Sequence, residues 1–178
     1  MLTAHLPAGY VAAKLLFPRL ATQGAPFRPF LIAALLGAVA PDFDLLYFYL
    51  IDERQHLHHT FWPHFPILWL ILLLVSTAWL YFVRARQYAA LAVIFTANGM
   101  IHMVLDTVVG NIWWFAPFVN QPYSLFTVTA RYSPWWLNYI IHWTYGFELA
   151  IIVWAIYLWR RDAVRTVKNF VDGVQNEE

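Results

Sequence analysis

The chain has 178 residues, of which 61% are hydrophobic and 12% charged, and its mean hydropathy is +0.54. Soluble domains carry roughly 45–50% apolar and about 25% charged residues, so this balance points to a membrane protein of one domain. A formal net charge of +1 without a basic block argues against nucleic acid as a partner, and the lack of cysteine excludes disulfides, thiolate metal sites and a cysteine nucleophile.

The first twenty residues, MLTAHLPAGYVAAKLLFPRL, show neither the basic start nor the small-residue cleavage site of a signal peptide, and the chain is read as mature from residue 1. A weak apolar segment at 8–17 is too short to cross a bilayer and is expected to lie in the interface or to re-enter. Stronger apolar segments follow at 30–51 (interrupted at Pro41), 67–83, 88–109 and 139–159. Each has about 17 residues or more, the minimum for a helical span. The expected fold is all-α, an integral membrane bundle of four transmembrane helices plus a short N-terminal interfacial or re-entrant helix. It occupies 1–160 as a single domain, with 161–178 as a polar cytoplasmic tail forming a short helix. Trp113, Trp114, Trp135, Trp136 and Trp159 fall near span ends, the pattern of an interfacial aromatic belt.

Lys14, Arg19, Arg28, Arg84, Arg86, Arg160, Arg161, Arg165 and Lys168 gather on one side of a four-span topology, and only Arg54 and Arg131 on the other. The positive-inside rule makes the first side cytoplasmic, the C-terminus with it. The same count places residues 1–28 on the cytoplasmic side. Asp42, Asp44, His56, His58, His59, His64, His102, Asp106 and His142 then all fall toward the outer face.

PDFD, at 41–44, sets two carboxylates behind a helix-breaking proline in an apolar stretch. One reading is a kink whose first turn is capped by the acids, since a helix N-terminus favours negative charge. The other is a functional site, the default for ionisable residues within a span. NGMIHMVLD, at 98–106, spaces Asn98, His102 and Asp106 at i, i+4, i+8, one stripe of a helix. Beside them, Gly99 permits close approach of another backbone. His102 and Asp106 read equally well as a metal-ligating pair or an internally hydrogen-bonded one. In QHLHHTFWPHFP, at 55–66, His59 and His64 are the preferred pair. His142 reads as a core histidine or a ligand, and Glu148, six residues on, cannot share its face of a regular helix. Imidazole and carboxylate donors without thiolate suit Zn²⁺, and also Mn²⁺ or Fe²⁺. Such a cation would keep Asp42, Asp44 and Asp106 ionised in apolar surroundings.

The ordered set His5, PDFD, HHTFWPH, HMVLD and GNIWWFAPF resembles the YdjM-type family of membrane-bound, metal-dependent hydrolases, from residue 5 to about residue 118. The resemblance implies His5, Asp42, Asp44, His59, His64, His102 and Asp106 as ligands or catalytic groups. Asp42, His59, His102, Asp106 and His5 are assigned to the metal, and His64 and Asp44 to catalysis. The family is in turn similar to the all-helical zinc-dependent phospholipase C and single-strand nuclease group, which implies hydrolysis of phosphoesters. A lipid head group or lipid-linked phosphate at the outer face of a bacterial inner membrane would be the substrate. Thr60, Pro63 and Phe65 stand where the family has Arg, Thr and Ser, and His142 and Glu148 depart from the group's His-x-x-x-Glu spacing. An inactive member packed as a structural subunit into a larger membrane complex is the alternative, and a haem held by His102 and His142 is a third reading.

Overall fold

A computed structural model of the chain describes residues 1, 3–20 and 24–175, with side chains described as far as residue 165. It is all-helical among the described residues, apart from an isolated bridge between Ile112 and Tyr123. Seven α-helices run in order: α1 (His5–Leu20), α2 (Phe27–Val39), α3 (Asp44–Leu50), α4 (Pro66–Phe82), α5 (Arg86–Asp106), α6 (Trp136–Ile141) and α7 (Tyr145–Gln175).

Helix α5 is the axis, packed by α1, α2 and α4, while α1 also packs on α2 and α7. Close packing comes from small residues. A Cβ at Gly37 of α2 would collide with the Phe95 backbone carbonyl of α5. At Gly99 the close neighbour is the Trp69 ring of α4, a side chain where the sequence suggested a backbone. Ala13, Phe30, Ala34 and Ile94 form a fully enclosed cluster between α1, α2 and α5.

Polarity is inverted relative to a water-soluble domain. His64, Asn98 and His102 are sealed inside, whereas Leu50, Leu74 and Phe82 are 77%, 61% and 88% exposed. The outward faces of α4 and α7 carry further apolar side chains, including Ile71, Val75, Val153 and Tyr157. Large contiguous apolar surface of this kind marks contact with something other than water.

Of the anticipated spans, α5 is long and apolar enough to cross a bilayer by itself. Helix α2 and the 41–50 segment reach that length together as a pair bent by 56°, and α4 is a shorter apolar helix of 17 residues. The fourth apolar segment is not one helix from 139: α6 ends at Ile141, His142 is extended (ψ 137°), and α7 begins at Tyr145. Helix α7 continues unbroken past Arg160 to Gln175, so the polar tail is the end of a long helix and not a separate short one. Residues 176–178 and the Lys168 side chain lie outside the described residues.

Helix α1 bears on residues 1–28, which the charge count by itself leaves at the basic end. His5, at its first turn, sits with the functional groups, and Lys14 lies two turns further on, where its Nζ meets Asp162 of α7 at 2.6 Å. Residues 1–28 therefore do not share one end of the bundle. Helix α1 starts at the His/Asp-rich end and runs away from it, so Arg19 still falls toward the basic end.

Substituting Gly37 with valine should separate α2 from α5, costing about 1–3 kcal/mol as overpacked sites do. Thermal unfolding in detergent measures this; a melting temperature equal to wild type would refute the close approach.

Candidate metal centre

Pro41 organises the first half of the site. It ends α2 and opens a 3-10 turn, Pro41–Phe43, from which Asp44 starts α3. Asp42 and Asp44 each fall in the first turn of their element, where the helix N-terminus favours negative charge, as expected from the sequence. The second half comes from two 3-10 turns, His58–Thr60 and Trp62–His64, ahead of α4. Trp69 fixes this loop to α4 by donating from Nε1 to the Pro63 carbonyl at 2.7 Å.

All seven residues singled out from the sequence converge here. Asp106 Oδ2 lies 3.1 Å from His102 Nε2, 3.6 Å from His59 Nε2 and 3.7 Å from His64 Nε2. Asp42 Oδ1 lies 3.6 Å from His102 Nε2 and 3.7 Å from His64 Nε2. On the other oxygen of Asp106, His5 Nε2 approaches to 3.1 Å, and the Met1 ammonium also rests there. The His5 ring stacks on His102 with centroids 3.7 Å apart. Asp44 stands behind His64, with its Oδ2 bonded to His64 Nδ1.

The far nitrogens show which lone pairs point inward. His102 Nδ1–H donates to the Ala38 carbonyl at 2.7 Å, leaving Nε2 as the bare nitrogen. With Nδ1 of His64 on Asp44, the Nε2 atoms of both rings are buried and make no hydrogen bond among the described residues. His102 Nε2 and Asp106 Oδ2 stand 3.1 Å apart without hydrogen-bond geometry. Buried polar atoms are rarely left without partners, so two such nitrogens facing one carboxylate call for a bound group. His64, His102 and Asp106 offer atoms within 4.8 Å of one another, as do His5, Asp42 and His102, and His58, His59 and His64. A divalent cation fits this donor set of imidazoles and carboxylates.

Electrostatics follow from burial. Desolvation drives His59 down to about 3 against the attraction of Asp106, so its ring is neutral and available as a donor. Burial disfavours charge at His64 too, but its hydrogen bond to Asp44 and the negative charges of Asp44 and Asp106 prevail and raise it to about 9 when no cation lies among them.

Two groups enter that the sequence did not assign. His58 Nδ1 lies 3.6 Å from Asp44 Oδ1, and its place beside His59 was a signal shared with every histidine of that loop. Glu148 is buried and accepts from the Thr3 hydroxyl at 2.9 Å and from the Thr3 backbone N–H, tying the segment that carries His5. No spacing pattern links positions 145 residues apart. His56 instead pairs with Asp52 in an exposed contact, and His142 bonds Thr144 Oγ1 at 2.8 Å, outside the cluster.

The family profile of the YdjM inner membrane proteins matches residues 1–165, so the chain belongs to that family. No curated protein and no solved structure matches it.

His102→Ala and Asp106→Ala should each weaken metal binding by more than the about 10–100-fold seen for outer-shell changes. Elemental analysis and competition with a chelating dye measure it, with His142→Ala as the variant that should retain wild-type metal. Equal metal content in all three would refute the centre.

Proposed function

We propose that this inner membrane protein is a metal-dependent hydrolase of phosphoesters. The observation that carries the reading is the pair of buried Nε2 atoms on His64 and His102, which face Asp106 without a hydrogen-bond partner while their far nitrogens are tied off. Asp42, His59, His102, Asp106 and His5 hold the ion, Zn²⁺ in preference to Mn²⁺ or Fe²⁺. When bound, a divalent ion supplies a polarised phosphoryl oxygen and a water whose pKa falls to about 7.

The two central histidines are held by different partners, and this divides their roles. A carbonyl behind His102 keeps its ring in one neutral tautomer, which is what a ligand needs. A carboxylate behind His64 supports the ring in both protonation states, which is what proton transfer needs. Asp44 orients His64 so that Nε2 takes a proton from the attacking water and returns it to the leaving oxygen.

The topology proposed is four crossings by α2 with α3, α4, α5 and α7, with α1 dipping in beside them. The basic helix ends lie on the cytoplasmic side and the cluster at the outer face, as the positive-inside rule requires. There the bilayer itself delivers a lipid head group or a lipid-linked phosphate, and membrane lipid is the partner.

Turnover of bis(p-nitrophenyl) phosphate by zinc- or manganese-loaded protein tests this. His64→Gln, compared at metal loading matched to wild type, should lose about 10²–10⁴-fold in kcat, the range for a general acid–base group. Hydrolysis that is absent from fully loaded wild type, or unaffected by His64→Gln, would defeat the assignment.

A further inference from the structure

Two cavities flank the loop between α5 and α6. The larger, about 570 Å³, is lined by Thr107, Trp114, Phe115, Val119, Pro122 and Tyr123, together with Gln121. The smaller, about 280 Å³, shares Val119 and includes Thr60 and Phe65. The loop between them is pinned. Ile112 and Tyr123 exchange backbone hydrogen bonds at 3.0 and 2.9 Å. Leu125 and Phe126 donate to the carbonyls of Thr107 and Val108 at 2.8 and 2.9 Å, and Trp114 Nε1 donates to Thr107 Oγ1 at 2.9 Å.

Three lining residues come from the segments that carry the His/Asp cluster, and each directly follows a member of it. Thr60 follows His59, Phe65 follows His64 and Thr107 follows Asp106. Consecutive Cα atoms are about 3.8 Å apart, so Thr107 puts the wall of the larger cavity, and Thr60 and Phe65 that of the smaller, one residue from the candidate ligands. No lining residue of the larger cavity is charged, which makes it unsuited to hold a phosphate itself. Its size lies within the roughly 300–1,000 Å³ of small-molecule sites. Its rim is apolar and open: Phe115 is 69% and Tyr123 54% exposed, and the neighbouring Phe118 81%. A hydrocarbon chain could pass from a lipid phase into such a cavity without crossing water.

We propose that the larger cavity takes the hydrocarbon chain of a membrane phosphoester whose phosphate reaches the His/Asp cluster. This rests on the hydrolase reading and adds the feature that selects the substrate: a chain attached next to the phosphate.

The test is calorimetric binding of methylphosphonate, octylphosphonate and hexadecylphosphonate to zinc-loaded protein in one detergent. Wild type should bind the long chains at least about tenfold more tightly than methylphosphonate, a gain that burial of two methylenes already supplies. Val119→Trp, which fills the cavity, should remove most of this gain and leave methylphosphonate binding unchanged. Phe115→Ala, at an exposed position that tolerates truncation, should reduce the gain by removing a wall, and it decides the matter if the tryptophan variant fails to fold. Micelles take up the long chains equally for each protein, so the ratios between proteins report the cavity. A chain-length gain equal to wild type in the folded variants, or none in wild type, overturns the cavity assignment while methylphosphonate binding leaves the hydrolase reading standing. Loss of binding for every phosphonate would defeat both.

Discussion

A carboxylate deep inside an apolar bundle is tolerable only with compensating charge or donors around it, because removing an ion from water costs several kcal/mol even after the protein relaxes. Asp106 is 3% exposed, and four histidines meet it: His5 from α1, His59 and His64 from the loop before α4, and His102 from its own helix. This one requirement ties together segments separated by most of the sequence. Helix α5 is central because it carries Asp106, and every other element that reaches the site is packed around it or leads into α4.

The break at Pro41 serves that arrangement in two ways. A helix leaves its last four carbonyls without intrahelical partners. Ala38, in the last turn of α2, gives its carbonyl to His102 Nδ1, so the end of one helix fixes the tautomer of a ring on another. The same break redirects the chain by 56° and turns Asp42 and Asp44 inward. Asp44 then holds His64, and the loop bearing His64 is itself held by Trp69 through the Pro63 carbonyl. Each of the two rings, His64 and His102, is thus oriented by a group whose own position is set by backbone geometry.

Much of this was legible in the sequence for a simple reason. A carboxylate or imidazole in an apolar run is costly, so Asp42, Asp44, His102 and Asp106 announce themselves by company alone, and the i, i+4 spacing puts the last two on one face. Histidines of the 55–66 loop were harder to separate, since His56 is exposed beside Asp52 while His58, two residues on, reaches Asp44. Hydropathy cannot see that difference because it is made by two successive 3-10 turns. Nor could charge counting place His5: Lys14 and Arg19 dominate the local count, yet α1 runs far enough to put its first turn at the opposite end from them. Glu148 could be set apart from His142 by spacing, but its partner Thr3 lies at the far end of the sequence, where no local pattern points.

The cluster is not sealed evenly, and the unevenness has chemical meaning. His64 and His102 side chains are fully buried, while that of Asp42 is 32% and that of His58 30% exposed. The closed side is walled by α2 and α5 and contains the rings whose orientation is fixed. On the open side lie the 3-10 turn of Pro41–Phe43 and the histidine loop, the elements with the least regular backbone. A group arriving from outside therefore meets Asp42 and the histidine loop first, with the fixed nitrogens behind them. Preorganised donors behind an open edge allow a ligand to be exchanged without repacking the core, since the parts that must hold still are those that α5 already holds.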